Sequence, residues 1–126
     1  MEQSLTAFLA RTWEAPFVWG SSDCTLWVAD WCVVRWTVDP AASFRSRYTT
    51  QAEAEMLIED GLAETIRPFM RFAVEKTADA AEDGDVGVVL VDGKETGAIR
   101  TGGLWAIKTA AGTGAADFPA VAIWGD

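Results

Sequence analysis

The chain contains no histidine, two cysteines, four prolines and a single tyrosine in 126 residues. Without an imidazole, the usual general base of a cysteine or serine hydrolase is missing. Zinc is left with little to bind, and no metal or cofactor is expected. Cys24 and Cys32 stand eight positions apart in what reads as one helix. That separates their Cα atoms by about 12 Å, beyond the roughly 4.4–6.8 Å that a disulfide spans. If the helix forms, an intramolecular bridge is excluded. Basic residues are also scarce: ten Lys and Arg face nineteen Asp and Glu, for a net charge of −9. A surface of that sign repels phosphate backbones and anionic lipid, which argues against direct nucleic-acid or membrane-surface binding. The longest apolar-rich run, Cys24 to Val34, carries Asp30 and is too short for a bilayer span. Met1-Glu-Gln-Ser shows no basic stretch ahead of an apolar run, so no signal peptide is expected, and the protein is expected to be soluble and made in a cytoplasm.

What is present is half apolar, enough for one real core over residues 1–126 and not for two. Seven tryptophans is a high number for this length. Either some of them lie beyond the core on a surface that meets another protein, or a small fold uses large side chains to fill its interior.

Ser4 to Thr12 reads as a short amphipathic helix with Ser4 as cap and Leu5, Phe8 and Leu9 facing the core. Pro16 ends that region. Ser22 or Asp23 then caps a helix that runs to about Arg35. It is apolar on nearly every face, as a buried central helix is. Residues 39–48 read as a structured loop. Thr50-Gln-Ala-Glu53 matches a capping box, with Ala54, Leu57 and Ile58 at core spacing and Gly61 as terminator. A further helical segment is expected from about Leu62 to Phe72, carrying Leu62, Ile66, Phe69 and Met70, with Pro68 as a kink or an end. After an acidic turn at 79–85, Val86–Val91, Thr96–Thr101 and Leu104–Thr109 read as successive antiparallel strands, with Pro119–Trp124 as a last one. Helices first and a strand meander second make an α+β domain.

Cys24 has two readings. At a helix start, the orphan N–H groups and the macrodipole favour a thiolate. Yet free cysteine is often a small buried hydrophobe, and the Asp23 carboxylate opposes ionisation of its neighbour. Cys32, mid-helix between Trp31 and Val33, reads as core.

Trp19-Gly20-x-x-Asp23-Cys24 at the head of a buried helix resembles the nucleophile motif of NlpC/P60-type (papain-like) cysteine peptidases. Asp83-Gly84-Asp85-Val86 resembles the Gly-Asp-hydrophobic step that opens a strand in that superfamily. Together with Asp39-Pro40-Ala41-x-x-Phe44-Arg45-x-Arg47-Tyr48, the pattern is similar to a small family of NlpC/P60-like proteins in tail-region gene clusters of phages and gene transfer agents. The likeness extends from about Phe17 to Trp124. It implies N-terminal helices, a buried central helix carrying Cys24, and a C-terminal antiparallel sheet. The resemblance also places Glu95 of Glu95-Thr96-Gly97-Ala98-Ile99 roughly where active members carry histidine. A carboxylate near its ordinary pKa is a weak base towards a thiol. Lys94 and Lys108 are the other bases near the strands, and each would need a strongly depressed pKa.

The Arg45-x-Arg47 loop has two readings as well. The arginines could reach a partner's carboxylates or carbonyls, with Phe44 and Tyr48 as anchors, or pin the loop internally through ion pairs. The internal role is favoured for one arginine, and the other is left open. Asp79, Glu82, Asp83 and Asp85 lack the alternation of a calcium loop and read as a solvated acidic turn. The resemblance with its missing base implies a catalytically inactive domain serving as a structural or assembly component of a phage-type tail, near its tip or baseplate. Its partners would be other tail or virion proteins, with room for an oligomer inside the assembly. The alternative is a cysteine peptidase or amidase acting on peptidoglycan stem peptides through Cys24, and a third reading is a small binding module unrelated to phages.

Overall fold

The computed structural model describes residues 4–126. Helix α1 (Leu5–Thr12) starts where the Ser4 hydroxyl accepts from the Ala7 N–H. It buries Phe8 and Leu9, as the spacing predicts. Helix α2 (Cys24–Trp36) is capped by Asp23, whose carboxylate accepts from the Leu26 N–H. It ends at Thr37, which adopts a left-handed conformation with φ 57°. Leu26, Trp27, Val28, Ala29, Trp31 and Cys32 are all buried, so α2 is the spine of the domain.

Helix α3 (Gln51–Leu57) begins with the Thr50–Glu53 box but buries nothing. Leu57 is exposed, and Ala54 and Ile58 are only half-buried. The core spacing expected there fails at Leu57, because the helix stops after two turns and lies along the surface, while Ile58 packs against the core. Gly61 opens the next helix rather than closing this one. Helix α4 is short (Leu62–Ile66), continues as a 3-10 turn over Arg67–Phe69 at Pro68, and leaves Phe69 exposed. Leu62 and Met70 are buried.

Six strands form one antiparallel sheet in the order β1-β6-β2-β3-β4-β5. They are β1 (Val74–Lys76), β2 (Val86–Val91), β3 (Lys94–Thr101), β4 (Leu104–Thr109), β5 (Gly112–Ala116) and β6 (Ala120–Gly125). The sequence reading lacks β1 and β5. The first is three residues long, and the second, Gly-Thr-Gly-Ala-Ala, has almost no strand-forming side chains. Nor is the sheet a plain meander, since β6 returns to lie between β1 and β2. The α+β class stands.

Period-2 alternation sorts the buried side chains of the strands onto the two faces of the sheet. Val86, Val88, Ile99, Ala106, Ala122 and Trp124 meet Phe8, Trp27, Trp31 and Cys32 on the helical side. Val89, Ala98, Trp105, Ile107 and Ile123 cluster separately, with Phe118 against them. The tryptophans are accounted for by this packing. Trp27, Trp31, Trp105 and Trp124 are buried, and Trp13, Trp19 and Trp36 are half-buried. Filling the interior therefore explains most of their number, and no tryptophan is fully exposed.

Candidate functional site

Cys24 is the first residue of α2 and is half-buried, while Cys32 is buried and both are free thiols. Two segments far apart in sequence build the head of this helix. The Asp23 carboxylate, itself buried, accepts from the N–H groups of Leu26 and Gly20 at 3.0 Å each. It also accepts from the Tyr48 hydroxyl. Gly20 has φ +81°, and a Cβ there would lie 2.0 Å from the Tyr48 carbonyl oxygen. Only glycine fits. The Gly20 carbonyl in turn accepts from the Ser46 N–H. The Trp-Gly-x-x-Asp-Cys and Phe-Arg-x-Arg-Tyr elements are therefore one structural unit.

This corrects the partner-facing reading of Tyr48, which is buried against Asp23. Burial and the Asp23 carboxylate hold its phenol well above the usual range. Arg45 takes the internal role, donating to Asp39 at 2.7 Å and to Asp30 at 2.8 Å. Phe44 is half-buried and packs edge-on against Phe69. Arg47 is the exposed arginine, with no ion pair among the described residues.

The thiol lines an open groove of about 370 Å³. Trp19, Thr25 and Leu62 contribute to its walls, α3 supplies Glu55, Ile58 and Glu59, and β3 supplies Lys94, Glu95 and Thr96. Gly97 of β3 lies so close to α2 that a Cβ would sit 3.1 Å from the Cys24 carbonyl oxygen. The structure thus brings Glu95 and Cys24 to the same groove. It does not make Glu95 a base towards the thiol. The Glu95 carboxylate accepts from the Ala63 N–H at 3.0 Å. Gly61, at the start of α4, has no side chain to cap that helix, and Glu95 does so from the neighbouring strand. A lone glycine before an apolar helix start was the sequence signal for an outside cap.

Burial pushes the Cys24 thiol above its ordinary value, and the Asp23 carboxylate adds to the rise. Hydrogen bonds from the Gly97 backbone and from Thr25 oppose this without reversing it. The thiol is therefore neutral near pH 7. Neither lysine rescues the chemistry: Lys94 is exposed and 3.7 Å from Glu55, while Lys108 lines a different cleft.

The Gly84-Asp85 step is structural. The Gly84 carbonyl accepts from Trp31 Nε1 at 2.8 Å and from Arg35. Asp85 is buried, not solvated, which corrects the acidic-turn reading at that residue. It pairs with Lys76 at 2.7 Å and with Arg35 at 3.3 Å, and accepts from the Glu82 N–H. A Cβ at Gly125 would lie 2.1 Å from its Oδ1. The Lys76 and Arg35 partners could not be read from sequence because they lie on β1 and at the far end of α2.

Fold and site together define an α+β domain that presents a half-buried, neutral thiol at the head of a buried helix, over a groove walled by a flanking helix and a strand. The chain belongs to the family described as Domain of unknown function (DUF6950), whose model matches residues 1–125. No curated protein and no solved structure matches it.

Proposed function

We propose that this protein is a catalytically inactive NlpC/P60-like domain serving as a structural or assembly component of a phage-type tail, near its tip or baseplate. The observation that carries the inactive half is the fate of Glu95. The side chain standing where the resemblance expects a base is bound to the Ala63 N–H, and the thiol beside it is held neutral. The tail half rests on the Asp39-to-Tyr48 element, the most specific part of the resemblance. The partners are other tail or virion proteins, and the location is the virion tail.

Alkylation of Cys24 by iodoacetamide, followed against pH in a Cys32→Ala background, tests the chemistry. Labelling should rise only above the ordinary thiol range, because a raised pKa delays the thiolate to higher pH. Mass spectrometry of purified particles from a producing host tests the setting, and absence of the protein from particles would sink the tail reading. The second reading, a stem-peptide peptidase, is favoured by the open groove at a thiol that is not fully covered. Its signature is fast labelling below about pH 7 with muropeptide cleavage that Cys24→Ala abolishes.

A further inference from the structure

The α-helices are not attached to the domain alike. Helices α1, α2 and α4 each bury side chains, and α3 buries none. Among the described residues, every side-chain hydrogen bond made by 49–59 closes inside that segment, among Thr49, Thr50, Gln51, Glu53 and Glu55. Outward, Glu55 meets Lys94 of β3 at 3.7 Å, with both side chains more than half exposed. An ion pair so placed contributes little. Ile58 packs against the core and is half-buried.

The chain on either side is pinned. Tyr48 is buried with its hydroxyl on Asp23. Leu62 and Ala63 are buried, and Glu95 holds the Ala63 N–H. Gly61 makes the turn back into the fold: its φ is +98°, and a Cβ there would lie 2.7 Å from Glu95 Oε2. Residues 49–60 are thus a strap fixed at its ends and lightly held between them. The strap is also a wall of the Cys24 groove, which Gln51, Ala54, Glu55, Ile58 and Glu59 line. A segment with exposed hydrogen bonds and few buried apolar contacts opens at a free energy below that of global unfolding. We infer that the strap is a lid, which swings off the groove as a unit while the rest of the domain stays folded, and that this opening admits molecules to the Cys24 thiol. Cys32, buried in the middle of α2, is reached only by global unfolding. The lid works the same way in a tail component or in a peptidase, so it and the proposed function can fail separately.

The test labels the full chain with N-ethylmaleimide at about pH 9 in sub-denaturing urea. Mass spectrometry reads Cys24 and Cys32 separately, and amide hydrogen exchange is followed alongside. Cys24 should label at least about a hundredfold faster than Cys32. Its urea dependence should be shallower, because the strap uncovers a fraction of the surface that global unfolding uncovers. Met56 is 74% exposed and lines neither groove nor core. Met56→Gly weakens the helix alone and should speed Cys24 labelling and α3 amide exchange together, by about threefold. Ile123→Val, in the second cluster, is the converse. It loosens the body of the domain and should speed Cys32 labelling about two- to tenfold while leaving Cys24 unchanged. Cys24 labelling that ignores both urea and Met56→Gly would mean a thiol already open, and it overturns the lid. So does Cys24 labelling that shares the urea slope of Cys32 or accelerates in Ile123→Val, because the thiol would then wait on global unfolding.

Discussion

The two ends of α2 are held by opposite means. At the first turn, one buried carboxylate, Asp23, gathers neutral donors from Gly20, Leu26 and Tyr48. At the last turn, Arg35 reaches Asp85 and Asp126, and Lys76 joins it on Asp85. The first end borders the open groove, while the second is locked against the sheet. Both stretches that resemble a hydrolase motif turn out to act here as clamps on a helix. Neither clamp involves Cys24 or Glu95, so the frame does not depend on either side chain.

The sharpest way to break this comparison is at the charged end. Asp85→Ala leaves Lys76 and Arg35 facing a buried void, and removing one partner of a buried pair costs about 3–5 kcal/mol. Urea unfolding should show that loss, or the variant should fail to fold. A change below about 1 kcal/mol would mean that Arg35–Asp126 suffices and the two ends are not differently built.

At the neutral end the effect should be smaller. Tyr48→Phe removes one donor from Asp23 but leaves the two N–H groups. A hydrogen bond to a charged group is worth about 1.5–3 kcal/mol, and the loss should fall in that range. If it matched the loss from Asp85→Ala, the phenol would be as central as the ion pairs, and the contrast would disappear.

Much of this frame was legible in the chain, for reasons that particular residues make plain. The Asp23 cap, the Thr50–Glu53 box and the period-2 runs of β2 and β4 are local signals, and local physics decided them. The placement of β6 between β1 and β2 was not legible, because strand order is a long-range property that no window of sequence contains. The surface position of α3 was missed because apolar spacing shows where a helix could pack and not whether a partner is there. At the site, position was legible and role was not. Glu95 lines the same groove as Cys24, but its bond to Ala63 joins residues 32 apart in sequence. Tyr48, an anchor in the partner-facing reading of its loop, is buried for the same reason: its partner Asp23 is 25 positions away.

High pH should sharpen the comparison with a smaller, graded effect. Burial pushes the Cys32 thiol up to about 12, and burial with the Asp23 carboxylate raises the Tyr48 phenol. In the unfolded chain these groups ionise near about 8.5 and 10. Above those values the unfolded state holds fewer protons than the folded one, so stability falls as pH rises. The slope is at most about 1.4 kcal/mol per pH unit for each group. Cys32→Val should flatten the fall that begins near pH 9, and Tyr48→Phe the part that begins a unit or more later. Identical alkaline profiles for wild type and both variants would mean that neither group stays protonated in the fold.

The smallest effect is expected at the groove itself. Glu95→Gln keeps an amide oxygen that can still accept from Ala63, so only the charge at the α4 N-terminus is lost. That is worth about 0.3–1 kcal/mol. The carboxylate acting on the Cys24 thiol is Asp23, its neighbour in the chain. The pH profile of Cys24 alkylation should therefore be unchanged in Glu95→Gln. A neutral amide removes any like-charge repulsion, so a profile shifted to lower pH would reveal direct coupling between Glu95 and the thiol. A profile shifted to higher pH would instead make the carboxylate a base after all, and the open end of α2 a working site. An unchanged profile leaves the first turn of α2 as inert as its last, with a groove at one end only.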